Sequence, residues 1–227
     1  MSAARHALVW TVVFGAAFGW LEAAVVIYLR RIYYPGGFAF PLQMIDTPLL
    51  AVELAREAAT LVMLGAVGML AGRTAWQRFA AFVLAFGVWD LVYYLGLWLA
   101  LGWPTSLQEW DILFMLPWPW VGPVYAPATV AVLMIVFGGL VVRQEGAGVR
   151  GRADRLTWLL GFAGSGVLLY TWLRDLEASL SGAMPEAYPV PLFLLGSTLL
   201  AACGVRFLTI SRRRTAEGTE DGPREER

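Results

Sequence analysis

Apolar residues run along this chain in blocks of more than 20, interrupted by short polar breaks, at roughly 7–29, 48–71, 76–101, 121–142, 156–178 and 189–210. A helix needs about 20 apolar residues to cross the hydrocarbon core of a bilayer. The pattern therefore predicts an all-α, polytopic helical membrane protein with about six transmembrane helices packed as one bundle over residues 1–210. The first block is preceded only by Arg5, is too long for the core of a signal peptide and contains Glu22, so it is expected to stay as the first span. In "IDTPLL", Thr47 can cap the second helix with Pro48 at its first position, where a missing N–H costs nothing. Asp154 opens the fifth in the same way, and "MPEAYPVP" (184–191) punctuates the turn into the sixth. The end, "SRRRTAEGTEDGPREER" (211–227), is charged and Gly/Pro-broken, and is expected to be a disordered cytoplasmic tail.

Composition supports the membrane reading: 59% of the 227 residues are hydrophobic, 15% are charged, and the mean hydropathy is +0.62. All 17 basic residues are Arg, which excludes Schiff-base chemistry on a lysine. Counted by side, Arg5, Arg73, Arg78, Arg143, Arg150, Arg152, Arg155, Arg206 and five tail arginines face Arg30 and Arg31 alone, thirteen against two. By the positive-inside rule both termini are cytoplasmic, as an even number of spans requires, and the expected location is a bacterial inner (plasma) membrane, multi-pass.

Charges inside the spans supply the candidate chemistry. At a rise of about 1.5 Å per residue, Glu22 lies ~10 Å below the outer boundary, Glu53 ~8 Å, Glu57 ~13 Å and Asp90 ~16 Å, all in the outer half. In "VELAREAAT" (52–60), Glu53, Arg56, Glu57 and Thr60 fall within one arc of about 100°. Nine Leu and Val residues of 48–71 contribute ~4 kcal/mol to insertion, whereas each of the three charges costs ~2.5–3.5 kcal/mol at mid-bilayer. That face is expected to point into the bundle. Gly15, Gly19 and Glu22 share a face of the first helix with a G-x-x-x-G spacing suited to close helix approach, and such small-residue faces would also suit an oligomer. Gly87, Asp90 and Tyr94 share a face of the third, with Tyr93 beside it, and tyrosine hydroxyls there could donate to a carboxylate. "AFGWLE" (17–22) echoes "AFGVWD" (85–90), as two repeated hairpins would.

The outer loop, 102–120, carries no basic residue, several tryptophans, Glu109 and Asp111. It is expected to be an interfacial aromatic segment, or else a partly re-entrant lid that adds Asp111 to the cluster. Arg30 and Arg31 are expected to anchor at the interface, while Arg174, beside Asp175 and Glu177, is long enough to reach inward to Glu22 or Asp90.

The expected ligand, proton or cation site is thus Glu22, Glu53, Arg56, Glu57, Asp90 and Asp111, supported by Tyr93, Tyr94 and Arg174. If it holds a metal, Glu22, Glu57 and Asp90 would favour a hard divalent cation, Ca²⁺, Mg²⁺ or Mn²⁺, over zinc, copper or haem. His6 is the only histidine and Cys203 the only cysteine, so His-dependent protease and di-iron sites are excluded, and Ser165 is better explained by small-residue packing. No phosphate loop, dinucleotide fingerprint or nucleic-acid surface is present. Three functions follow: an outward-facing site that binds a cation, proton or small polar ligand, as in a transporter; an enzyme or receptor at the outer leaflet with a lipid-linked ligand; or a structural or assembly protein whose charges form only a helix-packing network.

Overall fold

In a computed structural model, which describes residues 3–38, 47–181, 183 and 185–220, the chain is 76% helical. Its elements are α1 (Ala3–Tyr33), α2 (Thr47–Ala71), α3 (Ala75–Leu101), β1 (Trp110–Phe114), β2 (Trp120–Pro123), α4 (Tyr125–Gly146), α5 (Arg155–Leu173), α6 (Leu176–Leu180) and α7 (Val190–Glu220). Six helices are long and apolar enough to cross a membrane, which fits a multi-pass membrane protein.

The burial pattern of α2 shows how such a bundle is built. Glu53, Glu57, Thr60, Leu64 and Gly68 are buried, at a 3.6-residue period, while Val52, Val62, Met63, Met69 and Leu70 are exposed. Polar groups face the bundle and apolar side chains face out, the reverse of a water-soluble helix. The centre is α3, the most buried of the six, which packs against α1, α2 and α4, whereas α5 and α7 form a second pair joined through α7 to α4.

Small residues set these contacts. Gly15 of α1 lies against the Ala85 carbonyl and Val88 of α3, and Gly19 against Trp89 and Val92, so the G-x-x-x-G face lets the two backbones meet. Gly87 of α3 lies instead against Ala131 and Ile135 of α4. The two glycines of the "AFG" echo therefore serve different helix pairs.

The structure departs from the sequence reading in four places. Within the loop between α3 and α4, β1 and β2 form an antiparallel hairpin with Asp111 opposite Gly122 and Ile112 opposite Val121, a small addition to an otherwise all-α bundle. The fourth helix starts at Tyr125 because residues 120–123 are a strand. The fifth span breaks after Leu173 into the short α6. Finally, α7 runs on through Ser211 to Glu220, so the segment expected to be disordered begins as helix; 221–227 lie outside the described residues, as does the Thr47 side chain. Asp154 caps α5 as expected, accepting from the Thr157 N–H at 2.9 Å. It also accepts from Arg206 of α7 at 2.5 Å, and these bonds, Arg206 first, hold its carboxyl below the usual carboxylate range.

Gly19→Leu is expected to force α1 off α3 and to cost about 1–3 kcal/mol, as overpacking does. It should lower the thermal-unfolding midpoint in detergent. Gly166→Leu, where a Cβ meets nothing within 4 Å, should leave that midpoint unchanged.

Candidate functional site

At the end of the bundle away from the arginine-rich loops, the C-terminal ends of α1 and α3, the N-terminal part of α2 and the hairpin line a cavity of ≈ 110 Å³. Its wall carries Glu22, Glu53, Glu57, Asp90 and Asp111, with Arg30 and Arg56, and an aromatic side made by Tyr33, Tyr34, Phe38, Trp89 and Tyr93.

The positions on α2 follow from its period. Arg56 Nε donates to Glu53 Oε2 at 2.8 Å within the helix, and its Nη1 donates to Glu22 Oε1 of α1. Thr60 Oγ1 lies 3.4 Å from Glu22 Oε2 and donates to the Arg56 carbonyl at 3.1 Å. Arg56 is thus a bridge between two helices, with a carboxylate on either side. Glu57, one residue on, turns toward the hairpin, where its Oε2 accepts from the Met115 N–H at 2.8 Å. An N–H at the end of a strand has no ladder partner, and the carboxylate supplies one.

Arg30 is the residue that the interfacial-anchor reading misplaces. It is buried, Nη2 donates to Asp111 Oδ1 at 2.8 Å, and its guanidinium carbon stands 3.7 Å from the Trp103 ring centre and 4.0 Å from that of Phe38. The signal that separates it from Arg31 is helical phase: eight residues beyond Glu22, Arg30 comes round to within about 80° of it, whereas Arg31 falls about 180° away. Asp111, 1% exposed, ties the hairpin to α1 through this pair.

The acids therefore divide into two sets. Glu22, Glu53 and Asp111 are paired with arginine, whereas Glu57 and Asp90 make no ion pair among the described residues. Asp90 Oδ2 is buried without a hydrogen-bond partner, as are Asp111 Oδ2, Arg30 Nη1 and the Trp89 indole N–H. Buried polar atoms left in this state cost about 1–3 kcal/mol each, so their gathering in one wall sets the cavity apart from ordinary packing.

One supporting residue falls elsewhere than expected. Tyr93 lines the cavity, and Tyr94, buried behind it with Leu97, Trp103 and Val124, hydrogen-bonds through its hydroxyl to the Asp111 carboxylate. Arg174 does not reach Glu22 or Asp90; it pairs with Asp175 at 3.6 Å and Glu186 at 2.5 Å beyond the break in the fifth span. Among the described residues no three His, Cys, Asp or Glu side chains stand close enough to hold a metal ion. Glu22, Glu57 and Asp90 share the cavity without forming the expected metal cluster, because Glu22 is held by Arg56 and Glu57 by the hairpin.

Removing Arg30 would leave Asp111 as an uncompensated buried carboxylate, so Arg30→Ala should lower unfolding free energy by about 3–5 kcal/mol. The double variant Arg30→Met with Asp111→Leu should recover most of that loss, as chemical unfolding of the single and double variants would measure.

No protein-family model, curated protein or solved structure matches the chain.

Proposed function

We propose that this is an integral membrane protein whose arginine-poor end faces outward and presents a cavity that binds a cation or proton, and that the site serves transport. The observation that carries the reading is charge imbalance: five carboxylates and two guanidiniums line one cavity, and both guanidiniums are already engaged by Glu22, Glu53 and Asp111. Glu57 and Asp90 are left to be neutralised by something the cavity admits. In a low-dielectric wall a carboxylate is kept either by a proton or by a cation, and exchange between the two is the elementary step of a cation-coupled carrier.

A structural role for part of the cluster has its own support. Arg56 joins α1 and α2, which otherwise touch sparingly, so the Glu22, Arg56 and Glu53 trio acts as a helix clamp. The two roles are separable by residue: the paired acids hold the bundle, and the unpaired acids bind.

In proteoliposomes enclosing a pH-sensitive dye, addition of organic or inorganic cations to the cavity side is expected to change the internal pH with wild-type protein. Asp90→Asn and Glu57→Gln should each reduce that response at least tenfold with little change in thermal midpoint, whereas Arg56→Ala should lower the midpoint. A wild-type protein that neither binds nor exchanges any cation, or an Asp90→Asn variant whose only defect is instability, would overturn the transport reading in favour of the structural one.

A further inference from the structure

The acidic cavity does not end at Asp90. A second cavity of ≈ 190 Å³ lies on the other side of that residue, between α2, α3, α4 and the hairpin, and the two share Trp89, Asp90, Leu113 and Phe114 as a common wall. The second cavity is as apolar as the first is charged: beyond the shared residues its surface comes from Leu61, Phe86, Trp120, Trp172 and neighbours on α4. Its aromatic rings are ordered, with Trp120 stacked on Trp172 at 5.7 Å, Phe114 tilted against Trp120 at 5.7 Å and Phe86 edge-on to Trp89 at 5.3 Å.

Four polar atoms in the wall of this second cavity are buried without a partner among the described residues: Asp90 Oδ2 and the indole N–H groups of Trp89, Trp120 and Trp172. Trp89 is only 5% exposed. One unpaired carboxylate at the boundary between an acidic chamber and an aromatic chamber is complementary to one kind of molecule. A positive centre placed at Asp90 would gain the carboxylate and lie in the same wall as the Trp89 and Tyr93 rings, while an attached apolar body would fill the aromatic chamber. A hydrated metal ion would leave that chamber empty, and a neutral apolar molecule would leave the carboxylate unmatched.

We propose that the two cavities form one bipartite site for an amphipathic organic cation, with its charged nitrogen at Asp90 and its apolar body between Leu61, Phe86, Phe114 and Trp120. The inference rests on the cation-binding reading above and adds the class of cation. Its recognition is divided: Asp90 and Glu57 select charge, and the chamber beyond them selects an apolar group of limited size.

The test is equilibrium binding to the full-length protein in lipid nanodiscs by isothermal titration, with benzyltrimethylammonium, tetramethylammonium and the neutral isostere neopentylbenzene. Benzyltrimethylammonium should bind at least tenfold tighter than tetramethylammonium, and neopentylbenzene should show no saturable binding. Asp90→Asn should weaken both cations at least tenfold. Leu61→Trp, which fills the apolar chamber and leaves the acidic wall intact, should remove the preference for the benzyl compound while leaving tetramethylammonium unchanged. Equal affinity for the two cations with loss of both in Asp90→Asn would overturn the bipartite site and keep the cation site. Absence of binding by either organic cation would overturn the bipartite site while the dye assay decides the proton or inorganic-cation reading separately, and tight binding of neopentylbenzene would show a site selected by shape alone.

Discussion

Arg56 can sit in an apolar helix only because two carboxylates come to it, Glu53 from the preceding turn and Glu22 from α1. A guanidinium cannot shed its charge, so in a low-dielectric bundle the protein must bring counter-charges within hydrogen-bond reach. That requirement fixes the rotation of α2. Turn the helix by a third of a revolution and Arg56 loses Glu22, while its charges face the exposed surface now occupied by Val52, Val62 and Met63. With the rotation set, Glu57 has one direction left, toward α3 and the hairpin, and the cavity follows from the clamp.

The hairpin obeys the same constraint. A two-stranded sheet has open edges, and away from water its N–H groups need acceptors. Met115, at the end of β1, finds one in Glu57, and Asp111 on the same strand finds Arg30. Glu57 of α2 and Arg30 of α1 thus each answer a polar group on the hairpin. Gly122, opposite Asp111, gives the Trp172 ring room to pack on the hairpin, which seats it against α5.

The clamp was legible in the sequence because its period is local: Glu53, Arg56, Glu57 and Thr60 declare a helix face without reference to anything distant. The meeting of that face with Glu22 and Asp90 followed from alternation of the spans and from helix rise. The hairpin was not legible, since "WDILF" and "WVGP" are as consistent with a tryptophan belt as with strands, and strand pairing is decided by tertiary context. Arg30 was misassigned because an arginine near a helix end snorkels by default, and its burial depends on Phe38, Trp103 and Asp111, none of them on its helix. The extension of α7 has a simpler cause. "SRRRTAEGTE" is rich in helix-forming Arg, Ala and Glu, and continuing an existing helix requires no new nucleus.

Stoichiometry then separates what supports the cavity from what the cavity is for. The described bundle supplies two arginines to that wall, and both are engaged by the acids that hold helices and hairpin in place. Had Glu57 and Asp90 been needed only for packing, glutamine and asparagine would serve with less desolvation, since the Met115 N–H is satisfied as well by an amide oxygen as by a carboxylate. Two ionisable groups that make no ion pair among the described residues are costly in every state in which they are charged and alone. On the proposed function their partners come from outside the chain, a proton in one state and a cation in another, and the unmatched Asp90 Oδ2 is where such a partner would sit.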